Sequence, residues 1–477
     1  MQDFAKITPL ISLNPLDGRY RQATAPLTNY FSEAALNRAR VKVEVEWLIF
    51  LTNRRIIPDL SPLTAADCEY LREIAENFGA SDIAELKTIE AETRHDVKAI
   101  EYYLKRRLTQ SESLPPTSSL PQLGELVHIL CTSEDINNLA YALMMKAALK
   151  EVWLPAAQKF YAQLRELAIT ERDCPLLART HGQTASPSTI GKEIAVFAYR
   201  LQRQLQRLAQ VEYLGKFNGA TGTYGAHSIA LPQADWLALS RDFVTELGLT
   251  WNPLTTQIES HDWLSEIFAI LTHFNRICHN LATDFWLYIS LGYFRQKLSA
   301  QGSTGSSTMP HKVNPIRFEN AEANMEISCA LFDSLSATLV TSRWQRDLTD
   351  STTLRNMGVA FGHSLLAIEN LQRGVAGLEV NLTRLTEDLE HAWEVLAEPI
   401  QQTMRIAAAA GTPGMQNPYE QLKELTRGHK VTASEMRDFI KNLDLPAAAE
   451  QRLLELSPAT YTGLASRLVD FLPELAE

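Results

Sequence analysis

Helix breakers are scarce in this chain. Glycine and proline number 21 each in 477 residues, both a little below ordinary usage, and so low a density of breakers favours long helices. Cysteine is scarcer still. The five cysteines, at positions 68, 131, 174, 278 and 329, are odd in number and form no CxxC pair. That excludes a disulfide framework and a zinc knuckle, and points to a reducing, cytoplasmic compartment. No stretch reaches the roughly 18 uninterrupted apolar residues of a membrane span. The opening segment, MQDFAKITPLISLNPLDGRY, lacks the basic start and apolar run of a secretory signal, so none is expected. Positive charge is also in deficit: 45 Lys plus Arg against 56 Asp plus Glu give a formal net charge of -11. A broad electrostatic grip on nucleic acid is therefore not expected, whereas a local basic pocket for one small anion is compatible with that balance. GxxxxGK, HExxH and GxSxG are all missing, as is a dinucleotide fingerprint after a strand. An enzyme built from this sequence is expected to use no nucleotide hydrolysis, no redox cofactor and no metal.

What is present is mostly helical. The length predicts about three domains. From Phe31 the pattern turns helical through Leu36, Val43, Trp47 and Phe50, with further helices over 64–78 and 82–107, the last interrupted near 94–96. The polar, proline-bearing segment 109–122 reads as a linker or exposed turn. Over 191–214, Ile194, Phe197, Leu201, Leu205, Leu208 and Val211 recur at helical spacing. Over 262–298 apolar residues cover more than one face, and two further runs occupy 316–340 and 357–378. A helix that long, apolar on more than one face, is most simply buried against another subunit; a large single-chain core is the alternative. Period-two alternation is rare, so the expected fold is all-α. The expected division is an N-terminal helical domain (1–120), a central long-helix bundle (121–378) with the loop 299–320, and a C-terminal helical domain (379–477).

Chemistry is concentrated in the loops. The segment SAQGSTGSSTMPHKVNPIRFEN (299–320) places glycines and small hydroxyls beside Lys312 and Asn314, so a backbone can approach a ligand while a cation and an amide hold a carboxylate. The segment RTHGQTASPST (179–189) sets His181 in polar company, away from any second histidine at ligand spacing, which suits proton transfer better than metal binding. In CTSEDINN (131–138), Thr132 and Ser133 fit either a helix cap or an anion site, with Glu134 and Asp135 in the acidic first turn. Arg19-Tyr20-Arg21, Thr93-Arg94-His95-Asp96 and SRWQRDLTDSTTLR (342–355) gather further arginines, hydroxyls and acids. A phosphate or carboxylate pocket and a helix surface laced by i,i+4 pairs both fit the last of these.

Together these loops carry a resemblance. Residues 305–315, GSSTMPHKVNP, match every fixed position of GSSxMPxKxNP, the signature of the fumarase/aspartase superfamily. NPLDGRY (14–20), TRHDVKA (93–99), CTSEDINN, RTHGQTASPST, SRWQRDLTDSTTLRN (342–356) and NPYEQLKELTRG (417–428) extend the likeness to the adenylosuccinate lyase family, in its longer bacterial form. The resemblance implies three all-α domains, a homotetramer with a 20-helix core, and active sites built from three subunits. It implies anti β-elimination across a C–N bond. The substrates would be adenylosuccinate, giving AMP and fumarate, and the succinylated aminoimidazole carboxamide ribotide of purine synthesis.

Residue by residue, the resemblance assigns Ser306 as general base, His181 as general acid and Glu319 as the carboxylate that orients His181 across a subunit boundary. Lys312 and Asn314 would hold the succinyl group and the charge of the aci-carboxylate. Arg19, Tyr20, Arg346 and Ser351 match phosphate positions. His95 and Asp96 lie near the ribose and nucleotide body, as does Arg355 in the same region, while Thr132, Ser133, Thr180 and Gln257 match succinyl contacts. Asn320 departs from the pattern where some relatives place an arginine, and Arg317 is the nearby substitute. Two rival readings are a superfamily lyase acting on argininosuccinate, aspartate or malate, and a non-catalytic structural protein on the same fold.

Overall fold

The computed structural model of the protein describes residues 11–110, 114–297, 309, 312–426 and 430–474. Ser306, the base implied by the resemblance, lies outside the described residues. The described secondary structure is nearly all helical. The strands are two or three residues long and pair only as two-stranded sheets.

Helix starts follow local chemistry. Ser32 accepts the Ala35 N–H at 3.1 Å to open the helix Glu33–Asn53. Thr64 and Asp67, and Thr432 and Glu435, cap one another reciprocally, satisfying backbone donors that a helix start leaves open. The predicted helix over 82–107 is two helices, Ala80–Thr93 and Asp96–Gln110. Arg94, at φ 53°, turns the chain between them. The run over 262–298 is helical only as Asp262–Ser290. Gly292 then adopts φ 78°, and Phe294–Gln296 pairs antiparallel with Leu378–Val380. The helix over 191–214 is Ile190–Leu208, because Leu214–Gly215 pairs in parallel with Thr250–Trp251. The helix Ser133–Ala148 continues through a π turn, Leu149–Trp153, into Leu154–Thr170. Pro155 has no N–H to return to the preceding turn, which accounts for the widening there. Within segment 109–122, expected as a linker or exposed turn, the described residues 114–122 are tied down: Ser118 donates to Asp67, and Leu120 is wholly buried.

The chain divides into two compact units, each assembled from three stretches. One holds residues 1–156, 204–276 and 323–367; the other holds 157–203, 277–322 and 368–477. The boundaries fall inside the helices Leu154–Thr170, Ile190–Leu208, Asp262–Ser290, Ile316–Leu339 and Met357–Ala376.

In the first unit, an apolar cluster running from Val41 to Val127 packs the N-terminal helices together. Trp47 meets Phe217 at 4.2 Å and Phe243 at 5.0 Å between ring centres. Elsewhere in this unit a buried polar chain sets helix register. Asn275 donates to Ser328 Oγ at 3.0 Å and accepts from Ser364 Oγ at 2.8 Å, while Trp153 Nε1 donates to Ser364 Oγ at 2.9 Å. Fully partnered polar groups of this kind discriminate against shifted packings, since any slip strands them without partners. The N-terminal segment lies close on Met357–Ala376, where a Cβ at Gly358 would meet Phe31 Cβ at 2.6 Å. In the second unit a separate apolar cluster, from Trp393 to Tyr461, forms the core of the C-terminal helices.

Candidate active site

Each unit carries one group of the candidate residues. In the first, charge and hydrogen bonds run continuously through most of them. Asp96 opens the helix Asp96–Gln110, and its Oδ2 lies 2.7 Å from Arg40 Nη2 and 3.1 Å from Arg355 Nη2. Arg40 is 1 % exposed and donates through Nε to Asn137 Oδ1 at 2.8 Å. Asn137 donates to Glu134 Oε1 at 2.7 Å, and that same oxygen lies 3.0 Å from Arg346 Nη2. Arg346 Nη1 donates to Asp350 at 2.7 Å, and Asp350 Oδ2 lies 3.4 Å from His261 Nε2. Arg355 closes the group by donating to the carbonyl and the hydroxyl of Ser351, both at 2.8 Å.

The arrangement brings Asp96, Arg346, Ser351 and Arg355 together, although they lie in segments some 250 residues apart. It combines the two readings of segment 342–355. Arg343–Asp347 and Arg346–Asp350 are indeed i,i+4 pairs, yet Arg346 and Arg355 also reach partners on other helices. Burial opposes the charge on Asp96, but Arg40 and Arg355 outweigh it and hold the carboxyl below the usual range. The guanidiniums are thus fixed by carboxylate partners, and because a guanidinium carries five N–H donors, Arg346 can hold Glu134 and Asp350 and still donate to an anion.

Thr132 caps the helix Ser133–Ala148, its N–H held by Asp135 Oδ2 at 2.9 Å. Gln257 Nε2 donates to Ala220 O at 2.9 Å. His95 is exposed beside Asp96, and Arg19 is exposed with its guanidinium 5.7 Å from the Tyr20 ring centre.

The second unit carries Thr180, His181, Lys312, Asn314 and Glu319. Arg179–Thr180 pairs with Gln183–Thr184, leaving His181 and Gly182 as a two-residue turn. Both have positive φ, 54° and 74°, as the primed hairpin turns require. Glycine takes that conformation freely; histidine is held in it. The imidazole is consequently displayed, exposed, at the tip of a tight hairpin. The base of the hairpin is braced. Arg179 Nη1 donates to Tyr293 Oη at 2.6 Å, and Tyr293 Oη donates to Asp388 Oδ2 at 2.8 Å. Ser186 donates to Glu398, which also accepts from Tyr461 Oη at 3.1 Å. Lys312 is exposed and Asn314 half-buried on the limb that leads out of the signature loop, where Gln296 Nε2 donates to Val313 O at 2.9 Å. Glu319, exposed in the first turn of Ile316–Leu339, accepts from Trp286 Nε1 at 3.2 Å. Arg317 is engaged elsewhere, donating to Asn370 Oδ1 at 3.0 Å.

Sequence reasoning passed over Arg40, His261, Lys216 and Tyr293, and recognised Glu134 and Asp350 only as local acids. Arg40 is one of several charged residues in Glu33–Asn53, beside Arg38, Lys42, Glu44 and Glu46, so nothing local singles it out. His261, Lys216 and Tyr293 carry no local pattern.

Two family profiles match the chain: one described as lyase over residues 18–329, the other as adenylosuccinate lyase C-terminal over 342–462. The chain is 49 % identical over 467 residues to the adenylosuccinate lyase of Escherichia coli strain K12, across 98 % of this chain and 100 % of that protein. It is likewise 49 % identical to the Haemophilus influenzae adenylosuccinate lyase, with the same coverage. Among solved structures, a fumarate lyase from Mesorhizobium sp. BNC1 shares the fold, with a TM-score of 0.73 at 20 % identity over 94 % of this chain and 97 % of that one.

Proposed function

The chain belongs to the adenylosuccinate lyase family, and from that membership we propose how its residues divide the reaction. The protein is a carbon–nitrogen lyase that releases fumarate and AMP from adenylosuccinate. The observation that carries this is likeness along almost the whole chain, not the signature loop alone. The succinylated aminoimidazole carboxamide ribotide is the second substrate of the same site.

Removing a proton from the carbon beside a carboxylate requires a base and a means of holding the resulting charge. Ser306 takes that proton. Lys312 and Asn314 bind the succinyl carboxylate on which the charge develops, as oxyanion-type stabilisation. His181 gives a proton to the departing nitrogen, and fumarate leaves as the C–N bond breaks. Glu319 of a neighbouring subunit fixes the imidazole tautomer. Thr132, Ser133, Thr180 and Gln257 contact the succinyl moiety. His95, Asp96 and Arg355 face the ribose and nucleotide body. Arg19, Tyr20, Arg346 and Ser351 take the phosphate, which separates this reading from lyases of unphosphorylated substrates.

The assembly is a homotetramer of three-domain chains, with active sites shared between subunits and working in the cytoplasm. Support comes from the large apolar side chains left exposed on the long helices, among them Val196, Tyr199, Trp286, Leu287 and Ile327. Among the described residues, no helix is long and apolar enough to cross a membrane.

The decisive experiment mixes purified protein with adenylosuccinate and follows the change in purine absorbance together with fumarate release. Turnover of both nucleotide substrates is expected. Turnover of argininosuccinate with none on either nucleotide would overturn the assignment. Light scattering of the same preparation reads the tetramer directly.

A further inference from the structure

Glu44 lies one turn beyond Arg40 on the helix Glu33–Asn53, with no side-chain exposure at all. Its Oε1 stands 2.6 Å from His128 Nδ1, and its Oε2 has no hydrogen-bond partner. An unpaired oxygen on a buried carboxylate is costly and calls for a reason. Cys131 completes the group: its Sγ, a ring nitrogen of His128 and a carboxylate oxygen of Glu44 all lie within 4.8 Å of one another. The turn that presents His128 and Cys131 is strained, with His128 at φ 62° and Leu130 at φ 59°. It is held in place by Trp47 Nε1, which donates to Ile129 O at 2.9 Å. The reaction proposed above uses none of the three side chains.

We propose that Glu44, His128 and Cys131 form a binding site for a thiophilic divalent cation of the zinc class, with three protein ligands and a fourth position open to water. Thiolate, imidazole and carboxylate are the donor set zinc takes, and three protein ligands with one open position is a recurrent zinc arrangement. Magnesium and calcium prefer all-oxygen shells, so the sulfur discriminates against them. Zinc bonds of about 2.0–2.3 Å put tetrahedral ligand atoms about 3.3–3.8 Å apart, so shifts of about 1 Å, which include opening the 2.6 Å His128–Glu44 pair, bring the group to that geometry. Glu44 Oε2 then gains the partner it lacks. The exchange balances: the ion-paired Glu44–His128 releases its shared proton, Cys131 releases its thiol proton, and one divalent cation replaces both. Net charge is unchanged, which suits a buried group.

The test is a cobalt(II) titration of the metal-stripped, full-length protein. A thiolate-to-cobalt charge-transfer band and strong visible bands of tetrahedral cobalt should grow to one equivalent per chain, and zinc should abolish them. Cys131→Ser should lose the charge-transfer band. His128→Gln should weaken cobalt binding by more than the roughly 10- to 100-fold that loss of an outer-shell partner costs. Circular dichroism checks that each variant is folded. X-ray absorption at the zinc edge of zinc-loaded wild-type protein needs no variant and should read one sulfur among nitrogen and oxygen ligands. Absence of the cobalt bands, an undiminished charge-transfer band in Cys131→Ser, or a zinc shell without sulfur would each overturn the proposal.

Discussion

Lys216 Nζ stands 2.7 Å from Asp135 Oδ1, and neither side chain has any exposure. Oδ1 of Asp135 also accepts the Asn218 N–H at 3.0 Å, while Oδ2 accepts the N–H groups of Thr132 at 2.9 Å and Gly219 at 3.1 Å. One carboxylate thus joins the helix start that carries Thr132 and Ser133 to the turn at 216–219. The next residue, Ala220, accepts the Gln257 side chain. Three proposed succinyl contacts, Thr132, Ser133 and Gln257, from two stretches of chain, share one buried anchor.

Asp135→Asn should therefore be among the most damaging substitutions outside the reacting groups. It leaves the Lys216 ammonium buried without its counter-charge, which costs about 3–5 kcal/mol. Urea unfolding of the variant reads the loss. Adding Lys216→Met should recover much of it, because the stranded charge is removed; a double variant no more stable than the single one would show that geometry rather than charge sets the cost.

Ser306→Ala should keep the oligomer and substrate affinity while kcat falls by roughly 10²-fold or more, the usual contribution of a positioned base. Steady-state turnover of adenylosuccinate beside equilibrium binding separates the two. Near-normal turnover would show that the base is another residue.

Gly182→Ala tests the hairpin that displays His181. A Cβ there meets nothing within 4 Å, so crowding is not the issue. Its φ is 74°, and a side chain in the left-handed region costs roughly 1–2 kcal/mol. The variant should lose about that much stability, and kcat should fall with the displaced imidazole. Gly182→Asn, which tolerates the conformation better, should lose less of both.

Arg346→Lys keeps the charge but cannot span Glu134 and Asp350 as a fork while also meeting an anion. KM for the nucleotide substrates should rise at least about 10-fold, the worth of one charge-assisted hydrogen bond. Arg346→Lys with an unchanged KM would remove this residue from the phosphate set.

Asp96 supplies a pH signature. Its carboxyl is held below the usual range despite partial burial, by Arg40 and then Arg355. A depressed folded-state value means that its contribution is fully present above the unfolded pKa of about 3.9 and is lost as pH falls through the folded value. Unfolding free energy of the wild type should therefore drop across that acid window. Asp96→Asn should be less stable at neutral pH and show a shallower acid decline. Parallel pH–stability curves would mean that the ion pair contributes no such linkage.

Much of the fold was legible along the chain because helices advertise themselves locally. The stripe from Ile194 to Leu208 has a single period, Ser32 and Thr64 are cap residues in place, and Gly182 sits where a positive φ is needed. Helix ends were less legible. The helix that begins at Asp262 stops at Ser290 partly because Phe294–Gln296 finds a partner in Leu378–Val380, more than 80 residues away. Nothing near residue 290 records that pairing.

The sequence by itself determined the all-α character and the family, since each rests on short-range periodicity or on side chains adjacent in a motif, and it supplied the reacting groups proposed above. Only the tertiary structure decided which charges meet. Arg40 reaches Asp96, Glu134 reaches Arg346, Lys216 reaches Asp135, and Glu44 reaches His128 across 84 residues of chain. The five cysteines are far apart along the chain and form no CxxC pair. That spacing gave no warning that Cys131 stands within 4.8 Å of a histidine and a buried carboxylate. Hydrogen bonds and ion pairs act over a few ångströms of space, and separation along the chain says little about that distance until the helices have packed.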